Sequence, residues 1–114
     1  KVDINRKVYV VEGPIDSLFL PNCIAVAGAD LNMSLKNAVY IFDNEPRNKQ
    51  IVDKMQQLIF LNKNICIFPK SLKHKDINDM IMADMSQVEI QTIIDNNTFS
   101  KLSAQHKLND WKEI

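Results

Sequence analysis

Val8-Tyr-Val-Val-Glu-Gly-Pro-Ile-Asp16 decides how the rest of the chain is read. Val8–Val11 is a short β-branched and aromatic run, the composition of a strand. With no polar residue alternating through it, it fits a strand buried on both faces. Glu12 closes the run. Gly13 lets the backbone turn with no side chain in the way, and Pro14 suits the first turn of a helix. A strand therefore ends on a carboxylate at the polar edge of a sheet, and the chain turns away at once.

The same grammar repeats outward from this stretch. A helix is expected over Pro14–Leu20, a second apolar run over Cys23–Ala27 closed by Gly28, and a polar connection over Asp30–Lys36. Ala38–Phe42 is a third strand-like run, and it ends on Asp43. Pro46 is expected to open the most clearly amphipathic helix. Its apolar face is Ile51, Val52, Met55, Leu58 and Ile59, at i, i+1, i+4, i+7 and i+8. Ile65–Phe68 reads as a fourth strand stopped by Pro69, followed by a basic loop and a short helix near Ile77–Ala83. Ser86 with Glu89 forms a capping box for a helix reaching about Asp95. The tail Thr98–Ile114 is expected to be part helix, with Phe99, Leu102, Leu108 and Trp111 available to pack.

Strands alternating with helices predict an α/β fold, an open sheet of about four mainly parallel strands with helices on both faces. Right-handed crossovers would bring every strand-to-helix turn to one edge, where ligands bind in open α/β sheets. Glu12 and Asp43 would meet there.

The 114 residues make one domain's worth, 46% hydrophobic and 25% charged, with zero formal net charge. No apolar stretch approaches the ~20 residues of a membrane span. A neutral chain binds nucleic acid only through local clusters or through other parts of a larger protein. Cys23 and Cys66 each lie in an apolar run, which argues against a disulfide framework or a zinc site and fits a reducing cytoplasm. The chain starts at Lys1 rather than methionine, carries no signal peptide pattern, and reads as a fragment.

Four acids carry the chemistry: Glu12, Asp16, Asp43 and Glu45. In extended backbone Asp43 and Glu45, one residue apart, would point the same way. Carboxylates crowded at one edge repel and raise one another's pKa values, and a hard divalent cation relieves the repulsion. Solvated loop acids are the bland alternative. His74-Lys-Asp-Ile-Asn-Asp79 is a second motif. Asp76 and Asn78 could simply cap the next helix, or Asp76 and Asp79 could extend the acidic edge. Lys70, Lys73 and Lys75, with His74, supply local positive charge for phosphates. Arg47 could bind a phosphate or stand exposed in the first turn of its helix. Met55, Met80, Met82 and Met85 read as packing residues, Trp111 as a packing anchor or a base-stacking surface, and His106 has no assigned role.

Val10-Val-Glu-Gly-Pro-Ile-Asp16, Ile41-Phe-Asp-Asn-Glu45 and Lys75-Asp-Ile-Asn-Asp79, in that order, resemble the Toprim domain of bacterial-type primases, topoisomerases and some nucleases. The likeness is greatest to the primases of T4-like bacteriophages, and it covers about residues 7–82. It implies a catalytic domain over residues 1–97, with 98–114 a tail packed on it or extending it. It further implies metal-dependent nucleotidyl transfer that makes RNA primers on single-stranded DNA from ribonucleoside triphosphates. By resemblance, Glu12, Asp43 and Glu45 are the catalytic acids, and the same three with Asp79 hold Mg²⁺ or Mn²⁺, two ions when nucleotide is bound. Gly13, Asp16, Arg47, Lys70, Lys73, Lys75, Asp76 and Asn78 would face nucleotide or nucleic acid. Glu45 departs from the usual Asp-x-Asp. A replicative helicase partner, a zinc ribbon outside this segment and the cytoplasm of a phage host are implied as well. Another Toprim enzyme, nuclease or topoisomerase-type, and a Mg²⁺-binding receiver-like module are the alternatives; Tyr9 and Tyr40, both inside strands, do not suit a topoisomerase nucleophile.

Overall fold

The computed structural model describes residues 2–26 and 35–114. Gly28 and most of the polar connection expected over Asp30–Lys36 lie outside the described residues. The strands are β1 Val8–Val11, β2 Cys23–Ala25, β3 Ala38–Ile41, β4 Asn64–Cys66 and β5 Thr98–Phe99. They form one sheet in the order β2-β1-β3-β4-β5. The first four are parallel: Val10 stands opposite Ile24 on one side and Tyr40 on the other, and Tyr40 opposite Ile65. β5 runs antiparallel to β4, pairing Phe99 with Ile65. The architecture is the expected α/β open sheet, with one short edge strand more than the sequence suggested.

Strand alternation divides the core in two. Val8, Val10, Ala38, Tyr40, Ile65 and Ile67 face helix α1 (Lys49–Phe60) and helix α4 (Lys101–Trp111). Tyr9, Val11, Val39, Ile41, Cys66 and Phe68 face α2 (Ile77–Met82) and α3 (Gln87–Asn96). All four residues of β1 and of β3 are buried, which explains why neither strand shows a polar alternation. The apolar face of α1, Ile51, Val52, Met55, Leu58 and Ile59, is buried as its spacing required. Leu58 is wholly enclosed, and burial of a side chain of that size is worth about 1.5–3 kcal/mol. Met55 and Met80 also lie in the core, whereas Met82 is exposed.

Local chemistry sets the element ends. Pro46 does not open α1: the side chain of the N-cap Asn48 accepts the Ile51 N–H, and the helix starts at Lys49, three residues later than Pro46 suggested. The expected helix at Pro14–Leu20 shrinks to one 3-10 turn, Asp16–Phe19. It has no side-chain cap, the Ser17 hydroxyl donates back to the Pro14 carbonyl, and Leu20 is already extended. The capping box of Ser86 and Glu89 forms in both directions. Both α1 and α2 end in Schellman turns, with Asn62 and Asp84 in the left-handed conformation. The Lys63 and Met85 N–H groups bond back to the Leu58 and Met80 carbonyls.

Beyond residue 97 the chain is built into the same sheet and core. β5 completes the edge, and Ala104, Leu108 and Trp111 of α4 are buried against α1 and the sheet. Among the described residues no helix is long and apolar enough to cross a membrane.

Candidate active site

From β1 the chain passes to β2 on one side and later returns to β3 on the other. The gap beyond the carboxyl ends of β1 and β3 is therefore a topological switch point, the usual ligand crevice of an open α/β sheet. Glu12 follows β1 directly, and Asp43 follows β3 after one intervening residue, Phe42. An open cleft of about 490 Å³ lies here, lined by Glu12, Gly13, Pro14, Ile15, Asp16, Asp43, Asp76 and Asn78. Its volume is in the range of small-molecule sites.

Three carboxylates converge in the cleft. Asp16, Asp43 and Asp76 each place an oxygen within 4.8 Å of the other two. Asp16 comes from the 3-10 turn, and its Oδ1 accepts the Asn78 N–H at 3.0 Å, which docks α2 across 62 residues of sequence. Asp76 is the N-cap of α2 and accepts the Asp79 N–H at 2.8 Å. The capping role and the acidic cluster are thus the same residue. Gly13 does not use the left-handed backbone available to glycine; a Cβ there would lie 3.5 Å from Asp16 Oδ2, so its value is the open space in front of that carboxylate.

The electrostatics follow from this crowding. Burial, then the charges of Asp76, Asp16 and Glu45, push the Asp43 carboxyl up to about 6, with Lys75 opposing. Asp16 is also raised, by burial first and by Asp76 and Asp79, against the Asn78 N–H bond. A carboxyl raised in the folded state stabilises the fold below its unfolded pKa of about 3.9, and that stability is lost as pH rises through the folded value. Without divalent ions, urea denaturation should therefore show stability falling between about pH 4 and 6 by on the order of 1 kcal/mol, a figure discounted for partial exposure. Asp43→Asn should flatten this slope; equal slopes in the two proteins would refute the assignment.

Other residues singled out from the sequence fall elsewhere. Glu45 does not extend alongside Asp43: its N–H bonds to the Asp43 carbonyl at 2.8 Å, a tight turn that carries it to a recess with Pro46, Arg47, Asn48 and Glu113. It reaches the cluster through its charge on Asp43. Asp79 is exposed and likewise acts on Asp16 by charge. Arg47 precedes α1 and pairs with Glu113 at 3.1 Å. Lys70 and Lys73 line a separate recess with Asn44, Leu72 and Trp111, and only Lys75 of the three acts on Asp43.

Two residues emerge that sequence reasoning passed over. Lys54 of α1 places its Nζ 2.6 Å from Glu12 Oε2, with both side chains about one-third exposed. The available signal was a lysine beside the buried face, one position before Met55. Asn44, between the two acids of the acid-x-acid pair, donates from its side chain to the Leu72 and His74 carbonyls and accepts from the Trp111 indole N–H, each at 3.0 Å. Trp111 is thereby a packing anchor with its polar tip satisfied, as its bland reading had it.

The donor set fits a hard divalent cation. Oxygen ligands of one Mg²⁺ at about 2.1 Å lie roughly 3 Å apart when adjacent and about 4.2 Å when opposite, a spacing the three carboxylates nearly reach. No protein-family model matches the chain. Over 113 residues it is 36% identical to a protein described as DNA primase from Enterobacteria phage T4, a match taking in 94% of this chain and 33% of that protein. The chain thus spans about a third of the length of the curated relative it matches, and over nearly all of its own length it is primase-like.

Proposed function

We propose that this segment carries the nucleotidyl-transfer site of a DNA primase, in a Toprim-type catalytic domain. The observation that carries the proposal is the convergence of Asp16, Asp43 and Asp76 at the sheet's switch point, in a chain similar to a phage primase over nearly its whole length. In the reaction, the primer's 3′ oxygen bonds to the α-phosphorus of a ribonucleoside triphosphate, the bond to pyrophosphate breaks, and the 3′ proton leaves. Glu12, which lines the cleft, takes that proton, and Lys54 keeps its carboxylate in place. Asp16, Asp43 and Asp76 hold Mg²⁺ or Mn²⁺, with Glu45 and Asp79 adding negative potential. The bound cation supplies charge neutralisation at the phosphates. Lys75 faces the triphosphate beside Asp43, while Lys70 and Lys73 follow the phosphates of the single-stranded template or its hybrid. A replicative helicase is the expected partner of the longer protein.

The test begins with the cation. A divalent ion that binds the native cluster and not the unfolded chain raises the melting temperature as its concentration rises. Millimolar Mg²⁺ or Mn²⁺ should do this for the wild-type chain. Asp43→Asn, which removes one repelling charge, should leave the metal-free melting temperature equal or higher and erase most of the increase. Primer synthesis by the full-length protein carrying Asp43→Asn should be lost in parallel. A melting curve indifferent to both ions, or a fully active Asp43→Asn enzyme, refutes the proposal.

A further inference from the structure

Asn44 lies next to the acidic cluster and outside every role assigned above. Its carboxamide has two N–H donors and one oxygen acceptor, and all are used. The donors meet the Leu72 and His74 carbonyls, and the oxygen meets the Trp111 indole N–H, each at 3.0 Å. Its backbone N–H also bonds to the Lys75 carbonyl. One side chain and one amide thus clip the basic loop to the end of β3, at the residues leading directly into Asp76.

The clip joins two segments that electrostatics pushes apart, because Asp43 precedes Asn44 and Asp76 follows Lys75, and their charges repel. Among the described residues no salt bridge to these acids opposes this. The salt bridges Lys7–Asp95, Arg47–Glu113, Lys49–Asp53 and Lys54–Glu12 lie elsewhere, and none of them includes Asp16, Asp43 or Asp76. A cationic latch would compete with a metal for the acids, and an anionic one would add to the repulsion. A neutral group with two donors and an acceptor does neither.

We infer that Asn44 is a positioning residue that fixes the spacing of Asp43 and Asp76, its side chain holding the Leu72 and His74 carbonyls, and its backbone N–H the Lys75 carbonyl, against the end of β3. For its effect on catalysis this rests on the nucleotidyl-transfer proposal; for its effect on geometry it does not. Asn44→Asp keeps the shape and the bond from Trp111 but sets a carboxylate against the Leu72 and His74 carbonyls. By charge alone, one more carboxylate beside Asp43 would tighten cation binding. Loss of positioning acts in the opposite direction.

The test uses the 114-residue chain and reads two quantities. Amide hydrogen exchange by NMR follows the Asn78 N–H, which bonds to Asp16 and so reports how α2 is seated, with Leu58 and Ile65 as core references. Calorimetry measures the affinity for Mn²⁺ alone. With Asn44→Asp, exchange at Asn78 should speed at least about tenfold against unchanged references, and Mn²⁺ binding should weaken about tenfold. Unchanged protection of Asn78, or Mn²⁺ binding that is equal or tighter, overturns the inference. If the wild-type chain binds no Mn²⁺, the metal site is wrong and the exchange comparison alone decides Asn44. Should Asn44→Asp fail to fold, Asn44→Ser, which shortens the reach without adding charge, is read by the same criteria.

Discussion

Glu12→Gln in the full-length protein is expected to lower primer synthesis by about 10²–10⁴-fold while leaving the fold intact, the scale of a lost general base. The position explains both halves of this result. Glu12 leaves the buried strand β1 at the edge where the sheet changes direction and lines the acidic cleft. Glutamine matches its size, and its side-chain oxygen can still accept from Lys54. The charge lost is one member of an ion pair whose side chains are 32% and 31% exposed, and such pairs contribute about 0–1 kcal/mol. Glutamine cannot accept a proton at neutral pH, so the chemical step suffers and folding does not. Primer synthesis measured beside a thermal melt separates the two effects. Near wild-type turnover with an unchanged melt would remove Glu12 from the mechanism, and a collapsed melt would show that Glu12 serves the fold.

Lys54 gives this prediction a further consequence. Among the described residues of the cleft, Glu12 alone has a cation in direct contact, whereas Asp16, Asp43 and Asp76 face one another. One paired acid stands beside a cluster whose repulsion is only partly offset by Lys75. On the nucleotidyl-transfer proposal, that division would give the proton to Glu12 and the cation to the cluster.

Strands β1 and β3 and their polar edge were legible because burial on both faces leaves an unbroken apolar run, and each run was followed by an acid. β5 was not legible. Two residues cannot display a period, and Thr98–Phe99 form a strand only because β4 offers an unpaired edge. The site was half legible. Asp43 and Glu12 follow from topology, but the selection of Asp76 over Asp79 depends on which residue caps α2. The N-cap side chain turns in toward the cluster, and the residue three positions on is left exposed. The divergence of Glu45 from Asp43 depends on one backbone bond closing a tight turn, which an acid-x-acid pattern does not encode. Asn44 was invisible for the reason that makes it useful: its partners are carbonyls nearly thirty or more residues away.

Deleting residues 98–114 is expected to abolish folding of the chain, and Trp111→Ala alone to cost about 3–5 kcal/mol. The deletion strips β5 from the open edge of β4 and uncovers the face that Ala104, Leu108 and Trp111 bury, the first two fully enclosed. Trp111 is 4% exposed, and its replacement by alanine leaves a large cavity and orphans the Asn44 carboxamide oxygen. Glu113 adds two ties to the loop before α1, a backbone bond to the Pro46 carbonyl at 2.8 Å and the pair with Arg47. A domain of this size has only about 5–15 kcal/mol in total, so the single change takes a large share and the deletion takes more than remains. Urea denaturation should place Trp111→Ala well below wild type, and amide NMR of the 1–97 chain should show the narrow dispersion of an unfolded polypeptide. Trp111→Phe, which keeps most of the buried area and loses the indole N–H, should fall between wild type and alanine. A 1–97 chain that melts cooperatively near the wild-type temperature would make residues 98–114 an appendage of a self-sufficient catalytic domain.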